Sequence, residues 1–124
     1  MNITIDYTSD LPMYEQIKAC IKSNILCGKL QASDTLPSVR QLAKELNVST
    51  ITTKRAYTDL EHEGLIYTVS GKGTFVNTVD VSKLLSERKD KLIREYEDMT
   101  LKIMEVGVTK KNILKIIENI YKGE

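Results

Sequence analysis

The 124-residue chain has no tryptophan, one phenylalanine, one histidine and two cysteines, and neither sign of charge predominates. The lone His62 has no second ligand at a metal-binding spacing, so it reads as an exposed helix residue and no metal site is expected. Cys20 and Cys27 fall on one predicted helix, where seven residues rise about 10 Å, farther than a disulfide spans between Cα atoms. They read as reduced, small apolar fillers. No apolar run approaches the roughly 20 residues needed to cross a membrane. The opening MNITIDYTSD has neither a basic nor an apolar leader region, so no signal peptide is expected and the expected location is the cytoplasm. No nucleophile–base pair, carboxylate dyad or metal cluster stands out, so neither an enzyme nor a cofactor is expected. Eighteen Lys and Arg against 17 Asp and Glu leave a net charge of +1, which counts against a nucleic-acid partner unless the charge is unevenly placed.

What is present lies mostly between Leu36 and Val76. Ser38 is a good N-cap, and Gln41 three residues later can complete a capping box. Val39, Leu42, Ala43 and Leu46 recur at three- and four-residue steps and give the short helix that follows one apolar face. Asn47 tolerates the left-handed conformation that ends a helix, and Ser49 can cap the next one at once. The resulting turn of about three residues is that of a helix-turn-helix. The second helix, expected from about Thr50 to Glu63, turns Ala56, Tyr57 and Leu60 inward and stops at Gly64. Leu65–Val69 and Thr74–Asn77 then flank Ser70-Gly71-Lys72-Gly73, which reads as a hairpin. The order helix, turn, helix, hairpin is that of a winged helix-turn-helix.

The start of the second helix is where the chemistry concentrates. Thr50-Ile51-Thr52-Thr53 is poor helix material, because β-branched side chains lose rotamer freedom there. Hydroxyls and methyls at a helix N-terminus suit phosphates and base edges; the plainer reading is a marginal first turn with hydroxyls capping backbone. Lys54 and Arg55 come early and Asp59, Glu61 and Glu63 late, so positive charge sits at the end of the helix that would enter a groove. The two glycines of the hairpin tip let backbone approach DNA, and Lys72 adds a phosphate or minor-groove contact. No helix follows the tip at once, so it is not a nucleotide loop.

This stretch resembles the DNA-binding domain of the gluconate-repressor (GntR) family of bacterial transcription factors. The residues that carry the resemblance are Leu36-Pro37-Ser38, Arg40, Leu42-Ala43, Leu46, Val48-Ser49, Thr52, Ala56-Tyr57, Leu60-Glu61, Gly64-Leu65-Ile66 and Gly71-Lys72-Gly73-Thr74-Phe75-Val76. Leu11-Pro12-Met13-Tyr14-Glu15-Gln16-Ile17 looks like the opening of the YtrA-type branch, whose members carry a short helical tail and often control transporter operons. The resemblance implies that Ser49, Thr50, Ile51 and Lys54 read the groove, that Arg40 joins them from the preceding helix, and that Thr52 reaches the backbone. Thr50 and Lys54 stand where many members have arginine, so bidentate contacts to guanine are missing there. Arg40 and Arg55 are the remaining guanidinium groups of the site. Gly71 and Lys72 complete the candidate DNA-binding set.

Around this centre, Ile3, Ile5 and Tyr7 alternate with polar residues and predict a short strand. Ser9 or Asp10 can cap the helix that follows, which has Pro12 in its first turn and runs to about Leu26, with Ile17, Cys20, Ile21 and Ile25 on or near one face and Gly28 to end it. Beyond Val79, Leu85, Leu92, Tyr96, Met99, Ile103 and Val106 form a heptad-like stripe interrupted by Arg88 and Lys89. Gly107 breaks it, Thr109 caps a second helix, and Ile113, Ile116, Ile117, Ile120 and Tyr121 form another stripe. The expected organisation is a winged helix-turn-helix domain over 1–78 and a C-terminal helical hairpin over 79–124, mainly α with a small β wing. Folding the hairpin on itself leaves apolar surface, for which a second copy is the simplest cover. The expected dimerisation residues are Leu92, Tyr96, Met99, Ile103, Ile113, Ile116, Ile117 and Ile120. The sequence thus points to a homodimeric, sequence-specific DNA-binding regulator, a repressor by expectation, acting on double-stranded operator DNA. A small-molecule effector would sit at the dimer interface or between tail and wing. The rival reading is a winged-helix module that binds protein.

Overall fold

A computed structural model describes residues 1–123. The chain divides into two compact units, Met1–Leu84 and Leu85–Glu124.

The first unit holds three helices, α1 (Met13–Leu26), α2 (Val39–Leu46) and α3 (Thr50–His62), and three short strands, β1 (Thr35–Leu36), β2 (Ile66–Val69) and β3 (Gly73–Val76). Local chemistry sets the boundaries of α2 and α3. Ser38 Oγ accepts from the Gln41 amide at 3.1 Å, so the serine half of the expected capping box forms. Asn47 ends α2 in the left-handed region, at φ 54° and ψ 45°, and Ser49 Oγ accepts from the Thr52 amide at 3.0 Å to open α3. At α1 the expectation fails: Pro12 occupies the N-cap position and no side chain caps the helix. Ser9 Oγ instead accepts from the Leu11 amide within the preceding turn. Cys27 is the C-cap rather than a helical residue.

The core is built from Ile17, Ile21 and Ile25 of α1, Leu42 of α2, Ala56, Tyr57 and Leu60 of α3, and Leu36, Leu65, Ile66 and Val76 around the sheet. Ile17, Ile21 and Leu60 are wholly removed from solvent, so truncating any one to alanine costs about 2–5 kcal/mol. Val79 and Leu84 also pack on this core, so the first unit extends beyond residue 78.

The sheet has the order β1-β3-β2, antiparallel throughout, with Thr35 opposite Phe75 and Tyr67 also opposite Phe75. The strand expected at Ile3, Ile5 and Tyr7 does not form. Thr35–Leu36 takes the edge of β3, and Ile3 and Ile5 use their apolar sides to pack on the core. Side chains rather than a ladder hold this segment. The Gln16 amide accepts from the Asp6 N–H at 2.8 Å and donates to the Asp6 and Leu11 carbonyls at 3.0 and 2.9 Å, while the Tyr7 hydroxyl donates to the Leu46 carbonyl at 2.9 Å.

Two helices follow the wing, α4 (Val81–Glu105) and α5 (Lys110–Ile120). α4 is 25 residues long and α5 is 11. They are joined at Gly107, and the Thr109–Asn112 capping box opens α5. The stripes of the two helices do not bury one another within one chain, because no described residue of either helix is buried. Ile103, Ile113 and Ile117 are half-buried, and Leu92, Tyr96, Met99, Ile116 and Ile120 are exposed.

Candidate nucleic-acid interface

All nine sequence-predicted DNA-contacting residues lie in the first unit, on three of its elements. Arg40 is exposed on α2, Gly71 and Lys72 are exposed at the β2–β3 turn, and the remainder occupy the start of α3. There the β-branched run separates by face. Thr53 points inward, fully buried, with its hydroxyl donating to the Ser49 carbonyl at 3.2 Å. Thr52 is half-buried, and its hydroxyl accepts from Ser49 Oγ at 2.8 Å. The Ser49 hydroxyl is thus engaged in capping, accepting from the Thr52 amide and donating to the Thr52 hydroxyl. Thr50, Lys54 and Arg55 are exposed, and Ile51 is 81% exposed. A helix whose other apolar side chains are buried keeps an isoleucine in water at its leading end. That costs hydrophobic free energy unless something apolar meets it.

The wing is stiffened around its bare tip. Tyr67 and Phe75 stack with ring centroids 5.6 Å apart, and the Thr68 hydroxyl donates to the Glu61 carboxylate of α3. The turn closes through the Lys72 amide to the Val69 carbonyl at 2.9 Å. Gly71 adopts φ +76° with open space where a side chain would stand, so backbone conformation rather than crowding requires glycine there.

The charges on α3 are sorted in the way a DNA reader needs. Lys18 Nζ lies 3.3 Å from Asp59 and 3.5 Å from Glu63, and Lys22 Nζ lies 2.7 Å from Glu63. Burial pulls the Lys18 pKa down, but hydrogen bonding to Asp59 and the charges of Glu63, Glu15 and Asp59 outweigh it and leave it raised. With Glu61 bonded to the wing, both carboxylates of α3 and that of its C-cap Glu63 are engaged inside the unit. Among the described residues, Arg40, Lys54, Arg55 and Lys72 enter no ion pair. Low net charge therefore coexists with unpaired cations at the leading end and the wing tip. Sequence reasoning missed Lys18 and Lys22, because nothing in the sequence shows α1 alongside α3.

The model for bacterial regulatory proteins of the gntR family matches residues 13–76. The chain belongs to the GntR family. Over 93 residues it is 40% identical to the HTH-type transcriptional repressor YtrA of Bacillus subtilis (strain 168), spanning 75% of this chain and 71% of that one. A GntR family transcriptional regulator from Listeria monocytogenes superposes with a TM-score of 0.71 at 31% identity, over 93% of this chain and 98% of that one. The structure of AraR(DBD) in complex with operator ORX1 matches at a TM-score of 0.53 and 37% identity, over 59% of this chain and 90% of that one. The regulator is thus a DNA-binding transcription factor of the YtrA-type branch and not an enzyme. Among its described residues no helix is long and apolar enough to cross a membrane.

Proposed function

We propose that the regulator acts as a homodimeric repressor on a palindromic operator, with one α3 helix in each of two successive major grooves. The observation that carries the reading is the leading turn of α3, where exposed Ile51 stands between exposed Thr50 and Lys54. A branched apolar group beside a hydroxyl and an ammonium suits a thymine methyl, a base edge and a phosphate. Arg40 from α2 and Lys72 with Gly71 from the wing add backbone contacts on either side, and the AraR(DBD) complex is a related domain bound to an operator. The sparse guanidinium groups favour an operator read through methyls and shape over one read through guanines.

A second copy is favoured by surface. Leu92, Tyr96, Met99, Ile116 and Ile120 on α4 and α5 are exposed in the single chain, and an isologous contact between two copies would cover them. By resemblance to its branch, the regulated genes encode a transporter.

The test is a fluorescence-anisotropy titration of the intact protein with duplex from its own upstream region and with a scrambled duplex of equal length. Specific binding at moderate salt is expected only for the first. Equal, weak binding of both would overturn operator recognition and favour a winged helix that docks on protein.

A further inference from the structure

Arg55 does not extend freely from α3. Its guanidinium carbon lies 3.8 Å from the centroid of the Tyr14 ring, in the first turn of α1. This contact is one rung of a ladder. Tyr14 meets Arg55, Lys18 meets Asp59 and Lys22 meets Glu63, each pair separated by the same 41 positions, so successive rungs climb both helices by one turn. The second and third rungs pair lysine with carboxylate and cancel charge. The first pairs a cation with an aromatic face, which fixes the guanidinium without neutralising it. A guanidinium over an aromatic ring still has N–H groups directed away from the ring, and these remain to donate.

We propose that Tyr14 is a positioning residue for DNA binding, holding the Arg55 guanidinium so that its edge meets a backbone phosphate beside the groove. The inference rests on the DNA-binding surface assigned above. Its geometric support is independent of that assignment. Pro12 and the Gln16 bonds to Asp6 and Leu11 fix the first turn of α1, so Tyr14 stands on a braced element. Among the described residues no carboxylate lies within ion-pair distance of Arg55. An arginine held on a ring loses less side-chain entropy when it binds than an arginine moving freely in water.

The experiment measures affinity of the full chain for a mixed-sequence duplex of about 40 base pairs, whose binding reports phosphate contacts, across a salt series. Arg55→Ala should weaken binding on the order of tenfold at low salt and lower the salt slope by roughly 0.9 for each phosphate it no longer neutralises. Tyr14→Leu should weaken binding several-fold with an unchanged melting temperature, Tyr14→Phe should restore it, and Tyr14→Leu should add nothing once Arg55 is alanine. Arg55→Lys keeps the charge but loses the planar stack, and should also weaken binding; this variant decides the matter if Tyr14→Leu unfolds. Additive effects of Tyr14→Leu and Arg55→Ala, or full affinity in Arg55→Lys, would overturn the inference. Lys54→Ala separates the two levels: if it weakens binding while the Tyr14 and Arg55 variants do not, only the positioning role fails.

Discussion

Tyr57 ties α3 to the entry of α2 with one bond, its hydroxyl donating to the Pro37 carbonyl at 2.7 Å from a buried ring. Burial, and secondarily the charge of Glu45, raise its pKa far above the ordinary 10.0. The unfolded chain ionises Tyr57 near pH 10 while the folded chain keeps it neutral. Stability is therefore full below pH 10 and falls as pH rises above it, by about 1.4 kcal/mol for each pH unit. Lys18 acts in the same direction, because its raised pKa makes its stabilisation complete below about 10.5 and lost as pH climbs through the folded value. Thermal melts between pH 8 and 11 should show that fall, and Tyr57→Phe should flatten it while costing about 1 kcal/mol at pH 7. An equally steep fall in Tyr57→Phe would assign the alkaline loss elsewhere. At the exposed cations the expectation reverses, since affinity rather than stability should change. Lys54→Ala and Arg40→Ala should each leave the melting temperature fixed and lower the salt slope by roughly 0.9 per phosphate, doubled in a dimer. Lys54→Ala with unchanged binding across the salt series would remove α3 from the groove. Arg40, Lys54 and Lys72 were legible in the sequence because exposure follows from helix periodicity and turn position. Tyr14, Lys18 and Lys22 were not, because their roles depend on the packing of α1 against α3.

Elements whose boundaries are written in neighbouring residues were read nearly to the residue. Ser38, Asn47 and Ser49 cap α2 and α3 through bonds within four residues, and Gly64 ends the second helix with φ +77°. Elements defined by a distant partner were misread. Thr35–Leu36 is a strand only because β3 lies beside it, and Ile3–Tyr7 carries a strand pattern but is held by side-chain bonds and apolar packing instead of a ladder. The wing shows both cases. Its hairpin is set by its own turn, with β2 and β3 paired from Ile66–Val76 to Val69–Gly73, whereas its support from Glu61 comes from a different element, α3. Lys72→Ala should weaken DNA binding by about 1–2 kcal/mol per dimer with the melting temperature nearly unchanged, as expected for one exposed contact per subunit. Gly71→Ala should instead cost about 1 kcal/mol of stability through its positive φ, with no clash to relieve. Equal affinity of Lys72→Ala and wild type in the same titration would place the wing away from DNA.

For the whole molecule, the division after Leu84 sets the most informative truncation. A cut at Val79 would remove Leu84 from its place against the core, so the fragment should end at Leu84. That fragment keeps α1 to α3, the three strands and all nine candidate DNA-binding residues. It should fold and sediment as a monomer, because Leu92, Tyr96, Met99, Ile113, Ile116, Ile117 and Ile120 are gone. Bound to DNA it can occupy one half-site only, and its affinity should fall towards the non-specific range of about 10⁻⁴ to 10⁻⁶ M at physiological salt. The intact chain should sediment as a dimer and hold two half-sites about 10 base pairs, or another whole number of turns, apart. Replacing Tyr96 and Ile116 together with aspartate in the intact chain makes the same test without shortening it. Both positions are half or more exposed in the single chain, so the charges strain nothing until a second copy arrives. The double variant should then be a folded monomer with the weak affinity of the fragment. If it remains a dimer, the contact lies elsewhere; if the fragment binds as tightly as the whole chain, the tail contributes nothing to operator recognition.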